Sequence, residues 1–146
     1  MLNEHYDYYA SNNKTRFFFE SVGTQGTITK VIEFRHRETE RWNLGFGDLK
    51  NGKIDDLVIT NNHDVAKIIG TVAEAIFDFF GEYPKATLII QPIDEKRKKL
   101  YNYVFQHRFK EIEPMFEIRG LVGKKSESYS TEKFYDSFEI NRKFEE

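Results

Sequence analysis

The sequence of 146 residues contains no cysteine. This absence excludes disulfides, and it excludes metal sites and nucleophiles that depend on a thiolate. The first residues lack the charged and then apolar layout of a secretory signal, and no apolar run is long enough to span a bilayer. We therefore expect a protein of the reducing cytoplasm that has no membrane partner.

An excess of charge of one sign is also missing. The 22 Lys and Arg residues nearly balance the 24 Asp and Glu residues, and the net charge is −2. Because a protein that binds polyanions is usually basic, the bulk charge does not favour nucleic acid as a partner, although a local basic patch stays open.

Familiar catalytic motifs are absent as well. The sequence has no G-x-S-x-G, no P-loop and no G-x-G-x-x-G, and its four histidines do not show the spacing of a zinc site. We therefore predict no catalytic residue, no cofactor and no metal, and we lean towards a protein that is not an enzyme.

Aromatic side chains are abundant, at 16% of the residues. This content suits a sheet with an aromatic inner face, and the chain length suits a single domain over residues 1–146. Periodicity predicts four strands, a helix from residues 62–64 to Pro84, an apolar strand at 86–91 and a helix at 94–113. One or two strands follow, and one of them is expected after a polar loop at 123–131.

The resulting order, ββββαβαβ(β), predicts an α+β fold. We expect a curved, mostly antiparallel sheet of about five to seven strands that packs on two helices. Residues 41–48 and 54–60 are predicted to be antiparallel neighbours, because the Asn-Gly pair at 51–52 tolerates a tight reversal. Gly45 and Gly47 share one strand face, which indicates that backbone, helix or ligand packs closely there.

Acidic and amide side chains cluster around this hairpin and the start of the first helix. They are Asp48, Asp55, Asp56, Asn61, Asn62 and Asp64. Carboxylates at a sheet edge can hold Mg²⁺, but these residue types are also common in turns and helix caps, and we favour that explanation. One metal site for all of them is disfavoured, because residues 55–56 and 61–62 would lie roughly 17 Å apart along one strand at ~3.3 Å per residue.

Charged residues also interrupt apolar faces. Lys30 falls on the apolar face of its strand, and Arg97 and Arg108 fall within the apolar stripe of the second helix. A buried guanidinium group is costly unless it is paired. We favour a structural pair between Arg97 and a carboxylate of the sheet, and an anion site for phosphate or carboxylate is the alternative.

A basic run opens the second helix, where positive charge opposes the helix dipole. A solvated helix face is the commoner outcome, but tyrosines interleaved with the run could stack on bases. The predicted contacts to nucleic acid or another anion are Arg97, Lys98, Lys99, Tyr101 and Arg108.

Several of these segments resemble an uncharacterised bacterial and phage family of small proteins. The family pattern runs N-L-x-F-G-D, D-D, x-N-N-G-D-x-x-K-V-L-x-T-V and then G-S-T-x-x-R-x-R-L-Y, and the resemblance covers about residues 16–110. The chain departs from it at His63, where the family has glycine, and at residues 92–94, which replace G-S-T. The segments that carry the resemblance are Phe46-Gly47-Asp48, Asp55-Asp56, Thr60-Asn61-Asn62, Asp64, Lys67, Thr71-Val72 and Arg97-x-Lys99-Leu100-Tyr101.

The resemblance implies no established activity, but it implies that the polar residues form one recurring cluster. Its members are Asp48, Asp55, Asp56, Asn61, Asn62, Asp64, Lys67 and Arg97. Two functions stay open. The first is a non-enzymatic binding or interaction module with a protein partner, and the second is a nucleic-acid-acting protein, such as a toxin or nuclease of a mobile element.

Overall fold

The structure is a computed structural model that describes residues 4–55 and 59–144. Nine strands and two helices lie within these residues. They are β1 (Tyr9–Ala10), β2 (Arg16–Gly23), β3 (Gly26–Glu38), β4 (Arg41–Lys50), β5 (Lys53–Asp55), α1 (Val65–Glu82), β6 (Thr87–Ile90), α2 (Glu95–Ile112), β7 (Phe116–Val122), β8 (Lys125–Ser128) and β9 (Ser137–Arg142).

The nine strands form one mixed sheet in the order β1-β2-β3-β4-β6-β9-β7-β8, and β5 pairs with β4. Only β4 and β6 are parallel among these neighbours. The predicted α+β fold is therefore confirmed, with nine strands in the described residues where about five to seven were expected. The loop expected at residues 123–131 is wrong in part, since it contains β8.

Both helices pack on the same face of the sheet. The ring of Phe79 in α1 stacks on Phe34 of β3 at 4.2 Å, and Phe105 of α2 lies 4.6 Å from Phe138 of β9. Strand registers connect these positions across one face, and most of the aromatic residues on it are buried, whereas Trp42 is half-buried. Neither helix in the described residues is apolar over a length that would cross a membrane.

The hairpin after β4 forms as predicted, with positive φ at Asn51 (52°) and Gly52 (75°). The strand predicted at residues 54–60 is wrong at its end, and its residues 56–58 lie outside the described part of the chain. β5 ends at Asp55, and Ile59 and Thr60 lie outside any strand. The chain has returned to β4 by Thr60, whose backbone N–H donates to the carboxylate of Asp48.

Among the described residues, one edge of β4 carries a gap between two strands. β4 pairs with β6 through Arg41–Asn43 and with β5 from Asp48 onward, whereas β3 follows its other edge without interruption from residue 42 to residue 48. Within the described residues, no strand lies beside residues 44–47 on the gapped edge. The gap begins beside the end of β6, from which the chain continues to α2.

Candidate functional site

The inward row of β4 ends in a buried ion pair. Lys30 and Asp48 are register partners on β3 and β4, and their side chains are almost inaccessible to solvent. Lys30 Nζ donates to Asp48 Oδ1 at 2.6 Å and to the carbonyl oxygen of Thr60 at 2.9 Å. Thr60 in turn donates its hydroxyl to Asp48 Oδ2 at 2.6 Å. The pair therefore ties residue 60 to the sheet.

Electrostatics favour the charged form of Asp48. Burial raises the pKa of this carboxyl, but the bonds from Lys30 and Thr60 outweigh burial and hold the pKa below its ordinary value. An ammonium group that is taken out of water needs such a partner, because an isolated buried charge is very costly. Both oxygens of Asp48 thus have a bonding role inside the fold.

Asn62 holds the next part of the same segment. Its side chain is buried, and Nδ2 donates to the carbonyl oxygens of Ser21 (3.1 Å) and Gly26 (2.9 Å). Its Oδ1 accepts from the backbone N–H of Gln25 at 2.6 Å. Because these partners lie on both sides of the β2–β3 turn, Asn62 fixes the loop before α1 to the end of that hairpin.

Asp64 occupies the N-cap position of α1, but the capping prediction is wrong in its chemistry. Its side chain makes no capping bond. Oδ2 instead accepts from the hydroxyls of Tyr6 (2.6 Å) and Ser21 (2.5 Å). Burial, with a further effect from Asp64, raises the pKa of Tyr6. The carboxylate therefore connects the N-terminal segment, β2 and the start of α1.

The remaining acidic and amide candidates lie at the edges of this network. Asn61 is exposed and accepts the backbone N–H of His63 at 3.0 Å, and Asp55 pairs in register with Asp48. The ammonium group of Lys67 lies 5.1 Å from the centre of the Tyr6 ring. Asp56 lies outside the described residues.

The hairpin and helix-start residues are therefore not separated by the length of one strand. Asp48 contacts Thr60, the residue before Asn61, and register places it beside Asp55. The expected separation assumed one strand over residues 54–60, but β5 ends at Asp55, and Ile59 and Thr60 lie outside any strand. Within the described residues, no group of three or more His, Asp or Glu side chains is arranged to hold a metal ion.

Arg97 is buried at 2% exposure, and it contacts β4 and β5 through backbone oxygens. Its Nε donates to the carbonyl oxygen of Phe46 at 2.7 Å, and Nη2 donates to that of Asp55 at 3.2 Å. Nη1 pairs with Asp94, the residue that caps α2. Within the described residues, the carboxylate that pairs with Arg97 thus belongs to the residue before α2 and not to a residue of the sheet. Arg97 itself contacts the edge of β4 at the gap.

The predicted nucleic-acid contacts do not lie on one exposed surface. Tyr101 and Arg108 are buried along with Arg97, and Arg108 donates to Glu111 and to the Glu4 carbonyl oxygen. Lys98 is partly exposed and pairs with Asp136, whereas Lys99 is exposed. The five contacts stay a prediction, and the structure brings only part of the set to the surface.

Two cavities flank this region. The helix-start cavity, of about 500 Å³, is lined by residues 59–65 and by Ile68, Lys96, Lys99 and Leu100. The strand-gap cavity, of about 520 Å³, is lined by Arg35, Arg37, residues 43–46, residues 91–93, Arg97, Tyr101, Gly123, Asp136 and Ser137. The first has largely aliphatic walls, and the second is polar and contains three arginines.

Comparison with protein families gives a match over residues 2–143 to a family of unknown function (DUF6934). The chain belongs to this family. The predicted membership of a small uncharacterised family is thus confirmed, over more of the chain than residues 16–110. Comparison with curated proteins and with solved structures gives no significant match.

Membership of DUF6934 carries no activity, but the structure explains one departure from the pattern that the sequence resembles. His63 stands where that pattern has glycine, and its φ of 58° lies in the left-handed region. Glycine adopts this conformation without the steric cost that a Cβ imposes. The ring of His63 lies 2.5 Å from the Thr24 hydroxyl, which gives the side chain a contact there.

Sequence reasoning missed several residues that build the region. Lys30 interrupts an apolar face in the sequence, which is a signal of a special role, but the pattern does not identify its partner. Ser21 and Tyr6, which hold Asp64, gave no signal of their own. Arg35 and Arg37 follow the alternation of β3 on the face opposite the helices, and their spacing could have marked a cationic strip.

Proposed function

We propose that this chain is a non-enzymatic binding module of the bacterial cytoplasm, folded as one domain over residues 1–146. The observation that carries the proposal is the helix-start cavity, whose wall at residues 59–64 is held by buried polar groups. Asp48, Asn62 and Asp64 use their oxygen and nitrogen atoms to fix this wall. The side chains of Asp48 and Asn62 are fully bonded, and buried polar groups of this kind rigidify the structure around them, whereas Asp64 Oδ1 has no hydrogen-bond partner among the described residues.

The chemistry of the cavity indicates the kind of partner. Ile59, Ile68 and Leu100 supply aliphatic wall, and Lys96 and Lys99 are exposed at the side formed by α2. A largely apolar cavity with a few convergent polar groups is typical of binding sites. An apolar side chain of a partner protein, flanked by acidic residues that face the two lysines, fits these walls.

A neutral fluorescent dye, N-phenyl-1-naphthylamine, tests whether the cavity is accessible to apolar groups. We expect Val65→Lys to reduce dye binding, because Val65 lines the cavity and is 52% exposed. Val122→Lys is the matched control, since Val122 is 51% exposed and lies outside this cavity. Equal dye binding by the two variants and the wild type would contradict the proposal.

The alternative, a nucleic-acid-acting protein, is favoured by the exposure of Lys96 and Lys99 at the same rim. Fluorescence anisotropy with labelled RNA and DNA, across a salt series with and without Mg²⁺, separates the two functions. A nucleic-acid binder weakens steeply as salt rises, because counterions are released on binding. The absence of binding at low salt would remove the alternative, whereas Mg²⁺-dependent cleavage would overturn the non-enzymatic proposal.

A further inference from the structure

The segment after β9 carries an exposed aromatic side chain. β9 ends at Arg142, and the backbone N–H of Lys143 donates to the carbonyl oxygen of Met115 at 2.8 Å. The next residue, Phe144, lies outside any strand and is 62% exposed. Burial of an apolar side chain of this size in a protein contact is favourable, because it removes apolar surface from water.

The residues that follow Phe144 set it apart from other exposed apolar residues. A single apolar side chain on a surface is common and indicates no contact by itself. Glu145 and Glu146 come next in the sequence, outside the described residues, and they add two negative charges behind the ring. Ile93 is also exposed and followed by two acidic residues, but the first of these, Asp94, is already bonded as the cap of α2.

The helix-start cavity matches an aromatic ring that is followed by acidic residues. Ile59, Ile68 and Leu100 contribute aliphatic wall to a cavity of about 500 Å³, which has room for a benzyl side chain. Lys96 and Lys99 are exposed on the side that α2 forms. Opposite charges beside an apolar contact speed association and fix the orientation of the partner.

Phe144 cannot enter the cavity of its own chain. Register places Asn141 of β9 beside Thr87, and Thr87 beside Arg41, the first residue of β4. The loop before α1 contacts β4 at Asp48, which is seven residues after Arg41 and thus roughly 23 Å away at ~3.3 Å per residue. β9 runs away from the Asp48 end, because it is antiparallel to β6 and β6 is parallel to β4. The segment can therefore reach this cavity only in a second copy of the chain.

We infer that residues 144–146 of one copy dock in the helix-start cavity of another copy. Phe144 enters between the aliphatic walls, and the two glutamates face Lys96 and Lys99. The two surfaces differ, so the contact is heterologous, and its repetition builds a ring or a filament. This inference rests on the proposed function, since it names the chain itself as the partner protein of the same cavity.

Sedimentation velocity over a range of protein concentrations measures this self-association. We expect the average mass of the wild type to rise with concentration in low salt, and to rise less as salt screens the contact between lysines and glutamates. Phe144→Ser should weaken association by about tenfold or more, because it removes the apolar group that the cavity buries. Phe134→Ser, at a phenylalanine that is 46% exposed elsewhere on the surface, is the matched control and should associate as the wild type does.

A mixture of two variants tests the heterologous geometry. Val65→Lys impairs the cavity and keeps the segment, whereas Phe144→Ser keeps the cavity and lacks the ring. Each variant alone should stay monomeric where the wild type associates. An equal mixture should form pairs, because the intact cavity of one variant receives the intact segment of the other. Both positions are exposed, so the circular dichroism spectra should match that of the wild type.

Two results would overturn the inference. The first is a wild type that stays monomeric up to millimolar concentration in low salt. The second is association that persists in Phe144→Ser, or that the mixture of variants does not restore. Binding of N-phenyl-1-naphthylamine separates either result from a failure of the proposed function. A chain that binds the dye but does not self-associate would keep the cavity as a site for a different protein, whereas a chain that does not bind the dye would lose both.

Discussion

Replacing Lys30 with methionine should destabilise the protein severely. Lys30→Met removes the 2.6 Å bond to Asp48 and the 2.9 Å bond to the Thr60 carbonyl oxygen. It leaves Asp48, a residue with 3% exposure, without its counter-charge. Loss of one partner from a buried ion pair costs about 3–5 kcal/mol. That is a large fraction of the roughly 5–15 kcal/mol that stabilises a typical domain.

The double variant Lys30→Met/Asp48→Leu should be less destabilised than Lys30→Met alone. It removes both charges, and the remaining cost is that the N–H and hydroxyl of Thr60 lose their acceptor, at about 1–3 kcal/mol. Urea unfolding followed by far-UV circular dichroism gives the free energies. Lys133→Met is the control, because its exposed pair with Glu127 should contribute little.

Two results would refute this reasoning. A change in unfolding free energy below about 1 kcal/mol in Lys30→Met would mean that the buried charge is not paired as the structure shows. A double variant that is less stable than Lys30→Met would mean that the ion pair contributes more to the free energy of unfolding than the burial of its two charges costs. Equal slopes of the urea transitions are required for either comparison.

Three further predictions concern the same fold. In α1, Gly70→Ala should lower the free energy of unfolding by about 1–3 kcal/mol, because the added Cβ would lie 1.9 Å from a backbone oxygen. Gly81→Ala in the same helix, where the added Cβ meets open space, should raise it by up to about 1 kcal/mol. Thermal melts compare the two variants. Asn62→Ala should cost about 1–3 kcal/mol in urea unfolding, and Asn61→Ala at the exposed neighbour should cost less. Because the pKa of Asp48 is lowered, its contribution is present above the ordinary value of 3.8 and is lost as pH falls through the lowered pKa. Melting temperature should therefore fall on acidification, and less so in the double variant at residues 30 and 48.

Local patterns in the sequence predicted the elements of the fold well. The 3.6-residue period gave α1 and α2 within a few residues, and alternation placed Asp48 at the end of an inward row. The same rules could not join Lys30 to Asp48, because that contact depends on the register of β3 against β4. A bulge between His36 and Glu38 shifts this register, and a shift of one residue moves every side chain to the other face.

The position of the loop before α1 could not be read from the sequence either. Residues 54–60 are rich in strand-forming side chains, so propensity extended β5 too far. The return of Thr60 to β4 is determined by tertiary bonds from Lys30 and Asp48, which no local pattern encodes. Similarly, the stripe of α2 showed that Arg97 is buried, but it could not show that backbone oxygens of β4 and β5 are among its partners.

Hydrogen exchange at the Thr60 amide tests most directly whether buried polar groups hold the wall of the helix-start cavity. This N–H lies outside any helix or strand, and it donates to the two carboxylate oxygens of Asp48 at 3.2 and 3.3 Å. We predict slow exchange in the wild type and fast exchange in Asp48→Asn. Exchange in the wild type at the rate of an unprotected loop amide would contradict a cavity wall held by this network.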